Sequence, residues 1–213
     1  MKPTLKHILT TAVLYIGSAM AFALQPITDP TELNNRLSRF AHDLQSIESD
    51  FIQTKHIDIF DEDVISNGTF LYCNGTQICL DYTHPTAYRM VIDGNKLMTV
   101  SNGRKSVVTL KSNAMMNEMQ TMIGACMTGN LSAMSADFDL TYSQDDTRYA
   151  ITVIPRKQAV RQYIARIEIL LDKKDMAVTE LIFHENGTDY TRYTFKNRKF
   201  NTLKSDDPRL AIH

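Results

Sequence analysis

Five Asx-Gly dipeptides punctuate this sequence, and most of them lie between short runs of β-branched and aromatic residues. A tight two-residue hairpin needs a positive φ at its centre, so such dipeptides are the strongest short-range signal for a β-hairpin. The chain is therefore predicted to fold mostly as an antiparallel meander, which can curl into a half-open cup. The dipeptides are Asn67-Gly68, Asn74-Gly75, Asp93-Gly94, Asn102-Gly103 and Asn186-Gly187.

A helix is predicted ahead of the meander, over residues 29–48. Asp29 suits the N-cap, Pro30 suits the first helical position, and Glu32 falls at the capping-box offset. Apolar residues then recur at spacings of four and three, so the helix should bury one stripe of side chains. The stripe consists of Leu33, Leu37, Phe40, Leu44 and Ile47.

Alternating apolar side chains along the later segments predict a sheet with one apolar face. A second helical stretch at 113–127, closed by Gly129, interrupts the strands. The predicted fold class is α+β, mainly β: an unclosed antiparallel β-barrel, or half-barrel, of about 11 strands with a helical lid over the concave apolar face. The strands are predicted at 50–60, 64–73, 77–83, 87–92, 96–101, 104–110, 137–143, 148–154, 164–171, 177–185 and 188–197.

Residues 1–23 are typical of a secretory signal peptide. Lys2 and Lys6 precede an apolar segment at 8–16, and Ala21-Phe22-Ala23 matches an A-x-A cleavage pattern. The apolar segment is too short for a membrane span, which takes about 20 residues. We therefore expect an exported, soluble product with a single domain over residues 24–213. The balance of 23 basic and 24 acidic residues argues against binding to nucleic acid.

Two cysteines, Cys73 and Cys79, flank Asn74-Gly75 and could face each other across a hairpin. In an oxidising compartment a disulfide between them is one expectation, and a pair of small buried thiols is the other. Cys126 has no evident partner and is expected to be buried and inert.

Catalytic motifs are missing from the sequence: there is no G-x-S-x-G, H-E-x-x-H, glycine-rich phosphate loop or C-x-x-C pair. The histidines are dispersed, so the sequence predicts neither an enzyme nor a metal site. Six methionines lie between residues 115 and 134. Unbranched thioethers re-pack around irregular apolar shapes, which suits a surface for acyl chains; the alternative is an ordinary helix in which methionine fills gaps.

Several short motifs follow one another in a characteristic order. The first helix runs into Ser49-Asp50-Phe51-Ile52-Gln53; Gly68-Thr69-Phe70-Leu71, the segment 85–89 and the segment 92–97 come next. A methionine-rich helix follows, and 181–195 forms a late hairpin around Asn-Gly. In this order and spacing the mature chain resembles the periplasmic outer-membrane lipoprotein carrier proteins, the LolA family, over essentially its whole length.

The resemblance implies an apolar cavity under a helical lid. Such a carrier takes lipoproteins from an inner-membrane releasing transporter, shields their acyl chains in the periplasm and passes them to an outer-membrane acceptor. It would act as a monomer, with no cofactor and no metal. The lid side would comprise Leu37, Phe40, Leu44, Met115, Met119 and Met122; the sheet side would comprise Phe70, Tyr72, Leu80, Tyr82, Tyr88, Met90, Ile169 and Leu171. The alternative for either set is plain core, and a helix packed tightly on the sheet with no void would leave carriage unsupported.

The segment around Pro85 departs from the family pattern. The family often has an arginine before this proline, which tethers the lid by hydrogen bonds, and His84 takes that position here. Arg89 is near, but by alternation it points away from Tyr88 and Met90. Lid control or partner docking is therefore assigned to His84, Tyr88 and Arg89 as an expectation.

Two other classes of function stay open at this point. A similar cup can serve as a signalling module that senses mislocalised lipids or lipoproteins and regulates an envelope-stress protein. An exported lipid hydrolase is the third hypothesis, and it would need a nucleophile, a base and an oxyanion site assembled in space.

Overall fold

The computed structural model describes residues 24–110, 125 and 136–212, which form one twelve-stranded antiparallel sheet with helices packed beside it. The helices are α1 (Thr31–Asp43), α2 (Gln158–Arg161) and a short 3-10 helix at Pro208–Leu210. The strands are β1 (Gln25–Pro26), β2 (Ser46–His56), β3 (Val64–Cys73), β4 (Gln77–His84), β5 (Tyr88–Asp93), β6 (Lys96–Ser101), β7 (Arg104–Thr109), β8 (Phe138–Gln144), β9 (Arg148–Pro155), β10 (Arg166–Asp172), β11 (Val178–His184) and β12 (Tyr190–Phe200).

Two meanders make up the sheet, and its order is β1-β8-β9-β10-β11-β12-β2-β3-β4-β5-β6-β7. One meander runs from β2 to β7 and the other from β8 to β12. They join at the centre, where β12 pairs with β2 from Tyr190 opposite His56 to Phe200 opposite Ile47. The predicted fold class is confirmed: the fold is mainly β and its antiparallel sheet is not closed. The strand that the sequence did not predict is β1, a two-residue pairing with β8.

The predicted first helix is too long at both ends. Its last residue is Asp43, and Leu44 is already extended, with φ −81° and ψ 115°. The backbone N–H groups of Gln45 and Ser46 donate to the Asn201 side-chain oxygen, and the β2 ladder begins at Ser46. These N–H groups are therefore not available for a further turn of helix, and α1 ends before them. Ile47, predicted as the last residue of the helical stripe, is buried in β2 instead.

The helix begins one residue later than the capping pattern predicts. Pro30 occupies the N-cap position, and its carbonyl accepts from the Asn34 N–H. Asp29 still contributes, because its carboxylate accepts from the backbone N–H and the hydroxyl of Thr31 at 3.0 and 2.6 Å. These hydrogen bonds lower the pKa of Asp29.

Asn102-Gly103 forms the predicted kind of turn between β6 and β7, with φ of 50° and 72° and Ser101 opposite Arg104. The prediction is wrong for Asn67-Gly68, which lies within β3 at an irregularity in its pairing with β4. A Cβ atom at Gly68 would lie 2.0 Å from the Asp81 carbonyl oxygen and 2.8 Å from the Tyr82 Cα. Glycine is therefore needed there for close approach of two strands rather than for a turn.

One face of the sheet, called the inner face here, packs against α1. Leu33 and Leu37 of the helix join buried side chains from both meanders in a single apolar cluster. The sheet contributes, among others, Ile47, Phe51, Phe70, Tyr72, Ile78, Ile92, Ile151, Val153, Ile167, Ile169, Leu171, Val178, Leu181 and Phe195. Alternation along the strands places these residues on one side, as the sequence predicts.

The opposite, outer face carries a second and smaller apolar cluster beneath residues 201–212, called the tail here. Leu210 is fully buried, and it packs with Leu203 and Ile212 of the tail on side chains from β3 to β6. The sheet side of this cluster comprises Leu71, Cys73, Cys79, Val91 and Met98. Arg209 fixes the tail further, because its guanidinium donates to Glu48 at 3.1 Å and to Asp207 at 2.8 Å.

Cys73 and Cys79 are both free thiols, buried on the outer face under the tail. Cys73 pairs with Gln77 and Cys79 with Leu71, so the two cysteines are diagonal neighbours and do not face each other across the hairpin. The structure thus has the buried thiols and not the disulfide. Burial raises the pKa of Cys79 to about 11, which keeps it protonated and unreactive.

Several sequence-based predictions fall outside the described residues. They are the signal peptide at 1–23, the burial of Cys126, and the helix at 113–127 apart from Ala125, which is helical and buried.

Replacing Gly68 with alanine should lower the free energy of unfolding by about 3 kcal/mol, because the new methyl group meets backbone atoms that cannot rotate away. The matched control is Gly103→Ala, which has open space and a φ of +72°. It should cost only the left-handed backbone penalty of about 1–2 kcal/mol. Urea unfolding of both variants measures the difference, and equal losses would contradict the close approach at Gly68.

Replacing Leu210 with alanine should expose the two thiols. Removal of a fully buried leucine costs about 2–5 kcal/mol, which weakens docking of the tail. Alkylation by iodoacetamide at Cys73 and Cys79 should accelerate by ~10-fold or more, since about 1.4 kcal/mol is a factor of ten. The measurement uses a Cys126→Ser background, with Lys204→Ala as a control at an exposed tail position. An unchanged alkylation rate would mean that the tail does not protect the thiols.

Candidate functional site

The candidate site is the inner face of the sheet together with the helix that covers part of it. Helix α1 has one apolar side, on which Leu33 and Leu37 are 3% and 1% exposed. Phe40 lies edge-to-face with Phe200 at the end of β12, with ring centroids 5.9 Å apart. The other side of α1 is polar and exposed, so the helix is a cover for the sheet rather than a core element.

Arg36 tethers α1 to the second meander. Its guanidinium donates to the Tyr149 hydroxyl at 3.0 Å and to the Lys173 backbone carbonyl at 2.6 Å. The same guanidinium lies 5.7 Å from the centre of the Tyr149 ring, and the Lys173 ammonium lies 4.9 Å from it. Lys173 in turn donates to the Gln144 side chain at 2.7 Å. Two directed hydrogen bonds and a cation–π contact therefore hold the helix in place.

Aromatic side chains from β2, β4, β5, β11 and β12 form a group on the inner face, called the aromatic group here. Tyr82 lies at its centre, 4.9 Å from the Phe51 ring and 5.8 Å from the Tyr88 ring. Its hydroxyl lies 3.2 Å from that of Tyr193, whose ring is 6.3 Å from Phe183. These centroid distances are typical of favourable aromatic pairs.

Gly68 explains why the rings of Phe51 and Tyr82 can meet. In the ladder, Phe51 lies opposite Gly68, and Gly68 lies opposite Tyr82. Because the strand between the two aromatic residues has no side chain at this position, their rings make direct contact above it. The same Asx-Gly dipeptide that was expected to form a turn therefore shapes the site.

The tether and the aromatic group lie toward opposite rims of the sheet. Tyr149 follows the β8–β9 turn and Lys173 follows β10, whereas Tyr82 and Tyr88 flank the β4–β5 turn. In an antiparallel meander successive turns alternate between the two rims, which separates these positions. Tyr82, Tyr88, Tyr193 and Phe183 are only partly buried, so this portion of the inner face remains accessible.

Burial makes the phenols of the aromatic group still harder to ionise than an ordinary tyrosine. It raises the pKa of Tyr82 far above its ordinary value, and it also raises the pKa of Tyr193. Desolvation disfavours the phenolate, so both hydroxyls stay neutral and keep their protons for hydrogen bonding. The group thus offers an apolar surface with hydrogen-bond donors and no charge of its own.

The structure places the predicted sheet-side residues on the inner face. Phe70, Tyr72, Ile169 and Leu171 are buried in its cluster; Leu80 and Tyr82 are partly buried against it. Tyr88 contacts Tyr82, and Met90 pairs with Leu80 in the ladder. Of the predicted lid side, Leu37, Phe40 and Leu44 lie against the same cluster, whereas Met115, Met119 and Met122 are outside the described residues.

The three residues assigned to lid control or docking are not brought together. Arg89 points to the outer face, where it forms an ion pair with Asp81, its partner across the ladder. Tyr88 belongs to the aromatic group on the inner face. His84 is exposed at the end of β4, before a cis peptide bond to Pro85. The sequence did not predict that Arg36 holds α1 in place. The position of Arg36 on the helix gives no sign of its partners Tyr149 and Lys173, which are distant in sequence.

Outside the inner face, the described residues include a polar recess and no group that could bind a metal ion. A recess of about 660 Å³ lies along the polar side of α1, lined by Asp29, Thr31, Glu32, Asn35, Ser38 and Arg39, and it does not reach the apolar cluster. No group of three or more His, Cys, Asp or Glu side chains within the described ranges could hold a metal ion. Among the same residues, no helix is long and apolar enough to cross a membrane.

A comparison with protein families identifies one match. The family model described as outer membrane lipoprotein carrier protein LolA matches residues 42–207, which is more than half of the chain. None of the curated proteins compared with the chain matches it.

Several solved structures are similar to the chain at low identity. A chain of the MucA/MucB complex of Pseudomonas aeruginosa is 12% identical with a TM-score of 0.48; the match covers 86% of this chain and 61% of that one. This chain therefore spans about three fifths of that relative's length. A LolA superfamily protein of Nitrosomonas europaea is 7% identical, with a TM-score of 0.41 and coverage of 80% and 94%. LprF of Mycobacterium bovis is 12% identical, with a TM-score of 0.41 and coverage of 85% and 97%.

Replacing Arg36 with methionine should loosen α1 while leaving the sheet intact. The change keeps an unbranched apolar stem but removes the hydrogen bonds to Tyr149 and Lys173. A loss of about 1–2 kcal/mol should accelerate amide hydrogen exchange in α1 by ~5- to 30-fold. Arg39→Met, on the exposed side of the same helix, is the control. Equal exchange in both variants would contradict the tether.

Proposed function

Because the chain belongs to the outer membrane lipoprotein carrier protein (LolA) family, we propose that it shields the acyl chains of lipoproteins and shuttles them from the inner to the outer membrane. Family membership supports the coarse function, a periplasmic lipoprotein-binding module rather than an enzyme. We further propose the direction of transport and the donor and acceptor given below.

The observation that carries the proposal is the continuity of the inner face across both meanders. Side chains from β2 to β5 and from β9 to β12 form a single apolar cluster with α1. Transfer of each acyl methylene from water to such a surface is favourable by about 0.8 kcal/mol of free energy, so binding of a long acyl chain there is strongly favoured. No bond needs to be made or broken, and the described residues would act by contact alone.

Helix α1 would be the movable part of the binding site. It presents Leu33, Leu37 and Phe40 to the inner face, where a bound acyl chain would have to displace or slide beneath them. The Arg36 hydrogen bonds would favour the closed position without locking it, because together they contribute only about 1–2 kcal/mol. Cargo entry would thus be coupled to loss of the tether.

The proposal includes export and maturation. Residues 1–23 would direct secretion and be removed near Ala23, leaving 24–213 as a single carrier domain in the periplasm. The donor would be an inner-membrane lipoprotein-releasing transporter, and the acceptor an outer-membrane protein. The carrier itself would act as a monomer. Met115, Met119 and Met122 are proposed to complete the lid side.

A release assay tests this function. Purified mature protein is added to spheroplasts of its own host, and the supernatant is examined for acylated lipoproteins bound one to one. Release should fall by ~10-fold or more in Leu80→Glu, which places a charge on the inner face where an acyl chain would lie. Val107→Glu is the matched control, because Val107 is 47% exposed and lies opposite Met98 of the outer face.

Circular dichroism and thermal unfolding confirm that both variants fold before release is compared. Equal release by Leu80→Glu and Val107→Glu would mean that acyl chains do not bind to the inner face during release. Failure of the unchanged protein to release any lipoprotein, together with its recovery on a regulatory envelope protein, would replace carriage by the sensing function.

A further inference from the structure

Tyr82 and Tyr193 place two hydroxyl groups within an otherwise apolar and aromatic part of the inner face. Their oxygens are 3.2 Å apart, and either can be the donor. A phenol has one proton to give, so one of the two protons is used within the pair and the other stays available. The surrounding rings of Phe51 and Phe183 provide no competing acceptor for it.

Tyr88 adds a third hydroxyl to the same area. Its ring lies 5.8 Å from that of Tyr82, and the two residues are opposite each other in the ladder. In the part of the chain that the structure describes, no hydrogen bond is made by the Tyr88 hydroxyl. The residue is only partly buried, and its ring lies in the aromatic group on the inner face.

The chemistry of this group selects a neutral hydrogen-bond acceptor with apolar substituents. Both paired phenols are neutral, because the ordinary pKa of tyrosine is about 10 and burial raises the pKa of each further, so they can donate but carry no charge. A charged ligand would lose its hydration among aromatic rings without an ion to compensate it. A carbonyl oxygen between hydrocarbon segments fits both requirements.

We propose that Tyr82 and Tyr193, with Tyr88 beside them, bind the carbonyl oxygens that join acyl chains to the glyceryl and amino groups of an acylated cysteine. This inference rests on the proposed carrier function and adds a specific subsite to it. The hydrocarbon would lie along the apolar inner face, and the ester and amide groups would lie at the tyrosines, toward the rim that carries the β4–β5 turn. The subsite would fix how deeply an acyl chain enters.

The test compares two synthetic lipopeptides. Each is a short dye-labelled peptide whose N-terminal cysteine carries an N-acyl group and a thioether-linked glyceryl group with two long chains. The chains are attached through esters in one peptide and through ethers in the other. By fluorescence anisotropy, the unchanged protein should bind the ester peptide about 3- to 10-fold more tightly, as one or two additional hydrogen bonds allow.

Tyr82→Phe combined with Tyr193→Phe should remove this preference. The double variant should bind the two peptides equally. It should lose more affinity for the ester peptide than for the ether peptide, which keeps only the amide carbonyl, since the rings and their apolar contacts remain. Tyr163→Phe is the matched control, because Tyr163 is 54% exposed and lies outside the aromatic group. The single variants provide the same comparison if the double variant does not fold.

The outcomes separate the subsite from the carrier function. Equal binding of the ester and ether peptides by the unchanged protein overturns the subsite and leaves the carrier standing. Failure to bind either peptide overturns the carrier, and the subsite with it. A short-chain diacyl phospholipid serves as competitor: competition that depends on the tyrosines assigns the subsite to acyl esters in general, and a lack of competition assigns it to the acylated cysteine.

Discussion

The pairing of β2 with β12 is the interaction on which the rest of the structure depends. Each strand has eleven residues, and together they join a meander of β2 to β7 to a meander of β8 to β12. Aromatic contacts reinforce this seam: Phe51 lies opposite Phe195, and Phe195 is 5.4 Å from the Phe70 ring. Without the pairing, each meander would expose a long unpaired edge and half of an apolar face. The seam therefore creates the single inner face.

The two faces of the sheet are covered in different ways. On the inner face, α1 is joined to the next strand by a short connection and is fixed by Arg36 at one point. On the outer face, the tail is held by a fully buried leucine and by Arg209, whose pKa is raised by its hydrogen bonds to Asp207 and Glu48. Both covers combine buried leucines with an arginine that donates hydrogen bonds. Because α1 lies on the inner face and the tail on the outer face, α1 is the layer that would have to move to admit an acyl chain to the inner face.

Much of the fold could be predicted because its signals are local. Alternation of apolar residues placed the strands within a few residues of their true bounds, and Asn102-Gly103 marks the hairpin that it predicts. The predictions failed where contacts with residues distant in sequence determine the local structure. Asn201 and the β2 ladder end α1 early, and the Asp81 carbonyl makes Gly68 a site of close approach. Neither competing contact can be seen from the sequence around the residue that it affects.

The same distinction applies to the candidate site. Periodicity was sufficient to place Leu37 on the apolar side of α1 and Phe70, Tyr72, Leu80 and Tyr82 on the inner face, because period alone decides which way a side chain points. It could not show that Arg36 reaches Tyr149 across 113 positions of sequence, or that the hydroxyls of Tyr82 and Tyr193 meet across 111. Docking of the tail over Cys73 and Cys79 likewise depends on the folded sheet.

The energetics of α1 are consistent with a cover that a lipid could displace. Burial of Leu33 and Leu37 contributes about 1.5–3 kcal/mol for each side chain, or roughly 3–6 kcal/mol for both. At about 0.8 kcal/mol per methylene, roughly four to eight acyl methylenes would replace that contribution. A long acyl chain would exceed it, and a short one would not. In the proposed carrier, the length of the acyl chain therefore decides whether α1 yields, and the Arg36 tether raises the length that is required.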